Sequence, residues 1–141
     1  CELGVSKIGV FSSEYCSAYM SDNKLERLKK VAREAAKQCL RSRAPEILYF
    51  DNLSAALSSA ESYNNKLFAC EFLSHSDGDM SRLSGSTAVV VGSEGGFSEN
   101  EFMLAKQLGY CGISLGKRIL RAETACIAVC ALVAYSLGEL K

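Results

Sequence analysis

One stretch, Thr87 to Thr124, constrains this chain more than any other: TAVVVGSEGGFSENEFMLAKQLGYCGISLGKRILRAET. Ala88-Val89-Val90-Val91 is a short β-branched apolar run of the kind buried on both faces of a parallel sheet. Gly92-Ser93-Glu94-Gly95-Gly96 follows at once, and its glycines permit positive φ and close approach of a ligand to the backbone. Ser98-Glu99-Asn100-Glu101 reads as a capping box that opens a helix. Phe102, Leu104, Ala105 and Leu108 give that helix an apolar face, and Gly109 stands where a C′ glycine ends one. Tyr110 to Leu115 returns as a strand, Gly116 to Arg121 is a second loop, and a last helix begins near Ala122. This order predicts two loops lying side by side at the carboxyl ends of two successive parallel strands, where ligands bind in open α/β sheets. Either loop alone is also what a tight connection needs. Arg118 and Arg121 around an apolar Ile119-Leu120, and Glu94 inside the first loop, are not required by turn geometry.

The rest of the chain extends the same pattern. Lys7 to Ser12 reads as a strand, and Ser13 to Tyr19 as a connection. Ser21 or Asp22 caps a long helix in which Leu25, Leu28, Ala32, Ala35, Ala36 and Cys39 keep a 3.6-residue period. Pro45 bars its continuation. Glu46 to Phe50 is a strand, Leu53 to Glu61 a short helix, Lys66 to Phe72 a strand, and Ser74 to Ser86 a polar loop. Glu123 to Leu137 is an almost wholly apolar helix ended by Gly138. Such a helix is buried, and a subunit interface is a natural partner. The alternation predicts one α/β domain over residues 1–141, a mostly parallel sheet flanked by helices. Cys1 to Val5 reads as the end of a helix closed by Gly4, so the domain is expected to be N-terminally incomplete.

Composition removes several classes. At 141 residues the chain is long enough for a real core, and no run of about 18 apolar residues spans a membrane. No basic-then-apolar leader is present, which predicts a cytoplasmic protein. The seven cysteines form no CxxC pair and have no histidine beside them, so reduced core thiols and no metal are expected. His75, the only histidine, falls in a polar loop. Net charge is zero, yet Lys24, Arg27, Lys29, Lys30, Arg33, Lys37, Arg41 and Arg43 crowd one stretch. That stretch is a solvated helix face or a phosphate-binding stripe. Gly92 to Ser98 lacks the lysine of a P-loop, and its spacing and late position do not suit a Rossmann fingerprint.

Gly92 to Ser98 (GSEGGFS) together with Leu115 to Ala125 (LGKRILRAETA) resembles the two signatures of the RsmE family. These SPOUT-superfamily enzymes use S-adenosyl-L-methionine to methylate N3 of a uridine in 16S ribosomal RNA. The family usually reads GPEGGF and LGxRILRTETA; Ser93 and Ala122 depart from it. Glu34 to Arg41 resembles a third family segment, EAxxQSGR, with Cys39 and Leu40 as departures. The resemblance covers essentially the whole chain. It implies a C-terminal trefoil knot, a homodimer, and a small N-terminal RNA-binding barrel that is absent here.

The resemblance also implies that three loops hold the cofactor. Cys70 and Glu71 come from the first, Gly92, Glu94, Gly95 and Gly96 from the second, and Leu115, Gly116, Ile119, Leu120 and Arg121 from the third. Gln38 and Arg41 carry over as active-site or RNA-contacting residues. A methyl transfer to uracil N3 needs a cation near the developing anion, for which Arg121 is the candidate. Glu94 or Glu123 is placed to orient the base or take its proton, although Glu123 also suits a helix N-terminus for purely electrostatic reasons. Lys29, Lys30, Lys37, Arg41 and Arg118 are the candidate RNA contacts. The competing expectations are a catalytically weakened α/β RNA-binding module and a doubly wound nucleotide or flavin binder.

Overall fold

The computed structural model describes residues 1–17, 20–71, 73, 77 and 79–140. Expectations for Ala18, Tyr19, Phe72, Ser74, His75, Ser76 and Gly78 lie outside the described residues. The elements are β1 (Lys7–Phe11), α1 (Asp22–Gln38), β2 (Glu46–Phe50), α2 (Leu53–Ser58), β3 (Asn65–Ala69), β4 (Thr87–Val90), α3 (Glu99–Gln107), β5 (Cys111–Ile113) and α4 (Ala122–Ser136). A 3-10 turn, Met80–Arg82, precedes β4. No described helix is long and apolar enough to cross a membrane.

Local chemistry sets most of these boundaries. Ser21 caps α1 through its hydroxyl, which accepts from Lys24 N at 3.4 Å. The capping box of α3 is complete: Glu101 N donates to Ser98 Oγ at 3.3 Å and Ser98 N to Glu101 Oε2 at 2.9 Å. The other oxygen of Glu101 accepts from Glu14 N at 2.8 Å, so the same side chain anchors the connection after β1. Gly109 ends α3 at φ +81°. Helix α2 stops at Ser58 rather than Glu61, and β5 is shorter than the run Tyr110 to Leu115.

Among the described residues all strand pairs are parallel, in two sheets: β1-β2, and β4-β3-β5. The second order corrects one expectation. The loops after β4 and β5 are not side by side, because β3 lies between their strands. Burial explains this. Leu67, Phe68, Ala69 and Cys70 are all buried, so the segment is apolar on both faces and takes the centre. Alternate side chains feed two cores. Phe68 and Cys70 join Leu53, Leu57, Phe97, Phe102 and Tyr110 beneath α2 and α3. Leu67 and Ala69 join Ile113 and Val129 of α4 on the opposite face. Tyr110 donates to Leu57 O at 2.9 Å, and burial pushes its hydroxyl up to about 12.

Helix α4 is covered by the rest of the chain on one face only. Ala125, Val129 and Ala134 are buried, but Ile127, Leu132 and Tyr135 are 63%, 45% and 72% exposed. Among the described residues, nothing covers its other face.

Candidate active site

A cleft opens at the carboxyl ends of β3, β4 and β5. Ala69, Cys70 and Glu71 form one wall, Val91, Gly92 and Ser93 a second, and Leu115 to Leu120 a third, with Ala122 and Ala125 of α4 behind. It encloses about 570 Å³ of non-protein space including its open mouth.

The first loop is rigid because it is folded on itself and pinned to the core. Gly96 N donates to Ser93 O at 2.9 Å. Phe97 packs its ring 4.3 Å from that of Phe68 and 6.5 Å from that of Phe11. Gly96 sits at φ +68°, and a Cβ there would meet the carboxylate of Glu71. Gly95 corrects an expectation, for its φ is not left-handed. Tyr15 is what requires a glycine there, since a Cβ would lie 2.7 Å from its Cβ and 2.9 Å from its carbonyl oxygen. Ser93, where the RsmE pattern has proline, holds a buried hydroxyl with no hydrogen-bond partner among the described residues.

The second loop is more open. Gly116 adopts φ +108° with nothing within 4 Å of a would-be Cβ, so the backbone itself is offered to the cleft. Ile119 is 86% exposed. Lys117 and Arg118 are on the cleft wall, and Arg121 follows as N-cap of α4 with no side-chain cap bond.

Of the residues singled out from sequence, Cys70, Glu71, Gly92, Leu115, Gly116, Ile119, Leu120 and Arg118 line the cleft. Glu94, Gly95, Gly96 and Arg121 belong to the same loops but not to its wall. Glu94, Arg121 and Glu123 are exposed beside it. Ala69, Val91, Ser93, Lys117, Ala122 and Ala125 also line it and were not picked out as site residues, although the last four lie inside the quoted motifs.

Gln38 and Arg41 are not brought to the cleft. Gln38 is exposed at the end of α1. Arg41 donates to Cys1 O at 2.9 Å, to Val5 O at 2.7 Å and to Gly4 O at 3.4 Å, at the amino end of β1. Its planar fork is consumed by carbonyls. Lys29 and Lys37 pair with Glu26 and Glu34 at 2.8 and 2.9 Å on the exposed face of α1. Hydrogen bonding and the lysine charges hold both carboxyls below the usual range. No metal-ligating cluster occurs among the described residues, and the cysteines are free thiols.

A family model described as an RNA methyltransferase domain matches residues 1–134. The chain belongs to the RNA methyltransferase domain family. Ribosomal RNA small subunit methyltransferase E of Mesomycoplasma hyopneumoniae is 34% identical over 129 residues, which cover 89% of this chain and 56% of that protein. The enzyme of the same name from Bacillus subtilis is 31% identical over 149 residues, 95% of this chain and 57% of that one. The crystal structure of ribosomal RNA small subunit methyltransferase E from Neisseria gonorrhoeae bound to S-adenosyl methionine superposes with a TM-score of 0.87 at 34% identity. It is matched over 96% of this chain and 57% of its own. A putative methyltransferase from Legionella pneumophila, solved with its bound cofactor SAM, gives a TM-score of 0.82 at 28% identity, over 96% of this chain and 57% of that one. The expected kinship with RsmE is therefore borne out. The RNA methyltransferase domain seen here spans little more than half the length of these relatives.

Proposed function

We propose that this chain is the S-adenosyl-L-methionine-dependent methyltransferase domain of a cytoplasmic enzyme that modifies N3 of a uridine in 16S ribosomal RNA. The observation that carries the reading is the cleft. Three loops from the carboxyl ends of three parallel strands converge there, with backbone exposed at Gly116 and apolar walls from Val91, Leu115, Leu120 and Ala125. Such a donor set suits an adenosine-bearing ligand, which is gripped by main-chain N–H and C=O groups and apolar contact.

The cofactor supplies, when bound, a methyl group on a positively charged sulfur. The tasks left to the protein are positional and electrostatic. The walls hold the methyl donor and exclude water. Arg121, exposed next to cleft residues Leu120 and Ala122, offers a permanent charge to a uracil anion. Glu94 and Glu123 are the nearby exposed carboxylates able to accept the N3 proton. Lys117 and Arg118 at the cleft wall give the RNA backbone cations to meet. The uncovered face of α4 fits a homodimer.

Titration of the purified chain with S-adenosyl-L-methionine by calorimetry tests this reading. Saturable binding is expected, and Gly116→Val is expected to abolish it while the domain stays folded. A β-branched residue at φ +108° is strained and projects its side chain where the glycine left space. A wild-type protein that ignores the cofactor but binds RNA would replace this reading with the RNA-binding module.

A further inference from the structure

The fold carries the segment after β1 to the first loop of the cleft. Phe11, the last residue of β1, stacks on Phe97 with ring centroids 6.5 Å apart and planes 9° from parallel. Glu14 N donates to Glu101 Oε1 at 2.8 Å, so the start of α3 holds the same segment. Cys16 N donates to Ser13 O at 3.1 Å and closes a turn with Glu14 and Tyr15 at its centre. Tyr15 is the residue of that turn set against the glycine loop. A Cβ on Gly95 would lie 2.7 Å from Tyr15 Cβ and 2.9 Å from Tyr15 O. Cleft residues Gly92 and Ser93 belong to the same loop, so Tyr15 rests on one wall of the cleft.

Packing does not account for the rest of this side chain. The atoms of Tyr15 nearest to Gly95 are Cβ and the carbonyl group, and the ring lies beyond them. The residue is 52% exposed. Among the described residues its ring has no aromatic neighbour and its hydroxyl no hydrogen-bond partner. An aromatic side chain fixed at its root, with its faces left to solvent, is preorganised for a flat ligand. The other exposed residues at the cleft, Glu94, Lys117, Arg118, Ile119, Arg121 and Glu123, include no aromatic ring. Methyl transfer to uracil N3 asks for one. That nitrogen lies on the base-pairing edge, so the acceptor must be unpaired and turned out of its stack before a methyl group can reach it. A protein ring replaces the stacking that the base gives up.

We propose that Tyr15 is the stacking platform for the acceptor: an unpaired pyrimidine of the RNA substrate lies on the tyrosine ring at the mouth of the cofactor cleft. The proposal rests on the methyltransferase reading for the place of the methyl donor, and it adds a fourth loop, the one after β1, to the site. The face of the ring does the binding, and the hydroxyl is not needed. Gly95 has a matching part, because a side chain there would push the turn and the cofactor loop apart.

The test measures RNA affinity of the full-length enzyme by fluorescence anisotropy. Its probes are a short single strand of uridines and an abasic strand of the same length, which keeps the phosphates and lacks the bases. Tyr15→Ala retains the Cβ and the carbonyl that meet Gly95, so affinity for S-adenosyl-L-methionine is expected to hold. Affinity for the uridine strand should fall roughly tenfold, and affinity for the abasic strand should not move. Tyr15→Phe keeps the ring and should bind the uridine strand as the wild type does. A uridine strand that the wild type and Tyr15→Ala bind alike, or that neither binds, overturns the proposal. An equal loss on the abasic strand also overturns it, as does a loss of cofactor affinity. The strand measurement needs no methyl transfer, so its outcome is separate from the wild-type cofactor titration that tests the methyltransferase reading.

Discussion

Leu40 is the clearest case of a single residue at odds with its backbone. It is the one non-glycine with positive φ among the described residues, at 59°, and it is 93% exposed. An L-residue in this region costs about 1–2 kcal/mol, and no contact of the side chain offsets it. The sequence pattern places a glycine here in the RsmE family, and the left-handed turn after α1 supplies the reason. We predict that Leu40→Gly stabilises the fold by about 0.5–1 kcal/mol, part of the relief being offset by the greater freedom of glycine when unfolded. A urea midpoint that moves down instead would refute this. Arg121 belongs to the same scale but to chemistry. Arg121→Lys keeps the charge and removes the planar fork. Cofactor affinity is expected to hold, while methyl transfer to small ribosomal subunits, assayed in the full-length enzyme, falls by roughly two orders of magnitude. Near-normal turnover would remove Arg121 from the reaction.

At the scale of elements, α1 is where two readings of the sequence diverge. Its lysines lie on an exposed face, and Lys29 and Lys37 already have carboxylate partners within the helix. Exposed pairs of this kind are worth little and are readily exchanged for a phosphate. If the face binds RNA, changing Lys29, Lys30 and Lys37 together to alanine should lower the slope of log affinity against log salt by about two units. Cofactor affinity should not move. An unchanged slope would make α1 a solvated face, and the cations at the cleft, Lys117 and Arg118, would then carry RNA binding alone.

For the molecule as a whole, we predict that α4 carries the assembly. Its inner face holds Val129 in the core, and its outer face leaves Ile127 and Tyr135 in solvent. A contiguous apolar face on a helix next to the cleft is the usual mark of an interface, and two-fold pairing is the commonest way to cover it. Sedimentation at micromolar concentration is expected to show a dimer, and Ile127→Glu is expected to give a folded monomer. A wild-type monomer would overturn the assignment. Because Ala122 and Ala125 of α4 also back the cleft, dimer formation and cofactor binding should strengthen each other.

The division between what could be read from the chain and what could not follows the range of the forces. Ser98 and Glu101 make their box within one turn, Gly109 ends its helix locally, and the apolar periods of β3 and β4 are short-range patterns. The α/β class, the helix caps and the two loop motifs were therefore legible in order. Strand neighbours were not, because β3 takes the centre only through burial of both its faces against α2, α3 and α4 together. The same holds for Gly95, whose need for a missing side chain comes from Tyr15, far away in sequence. It holds for Arg41, whose carbonyl partners precede it by up to 40 residues. The sequence by itself determined the elements and the chemistry of the loops. Only the tertiary structure decided that β3 stands between β4 and β5, and that Tyr15 and the carbonyls around Arg41 meet their partners, because these depend on contacts no local pattern encodes.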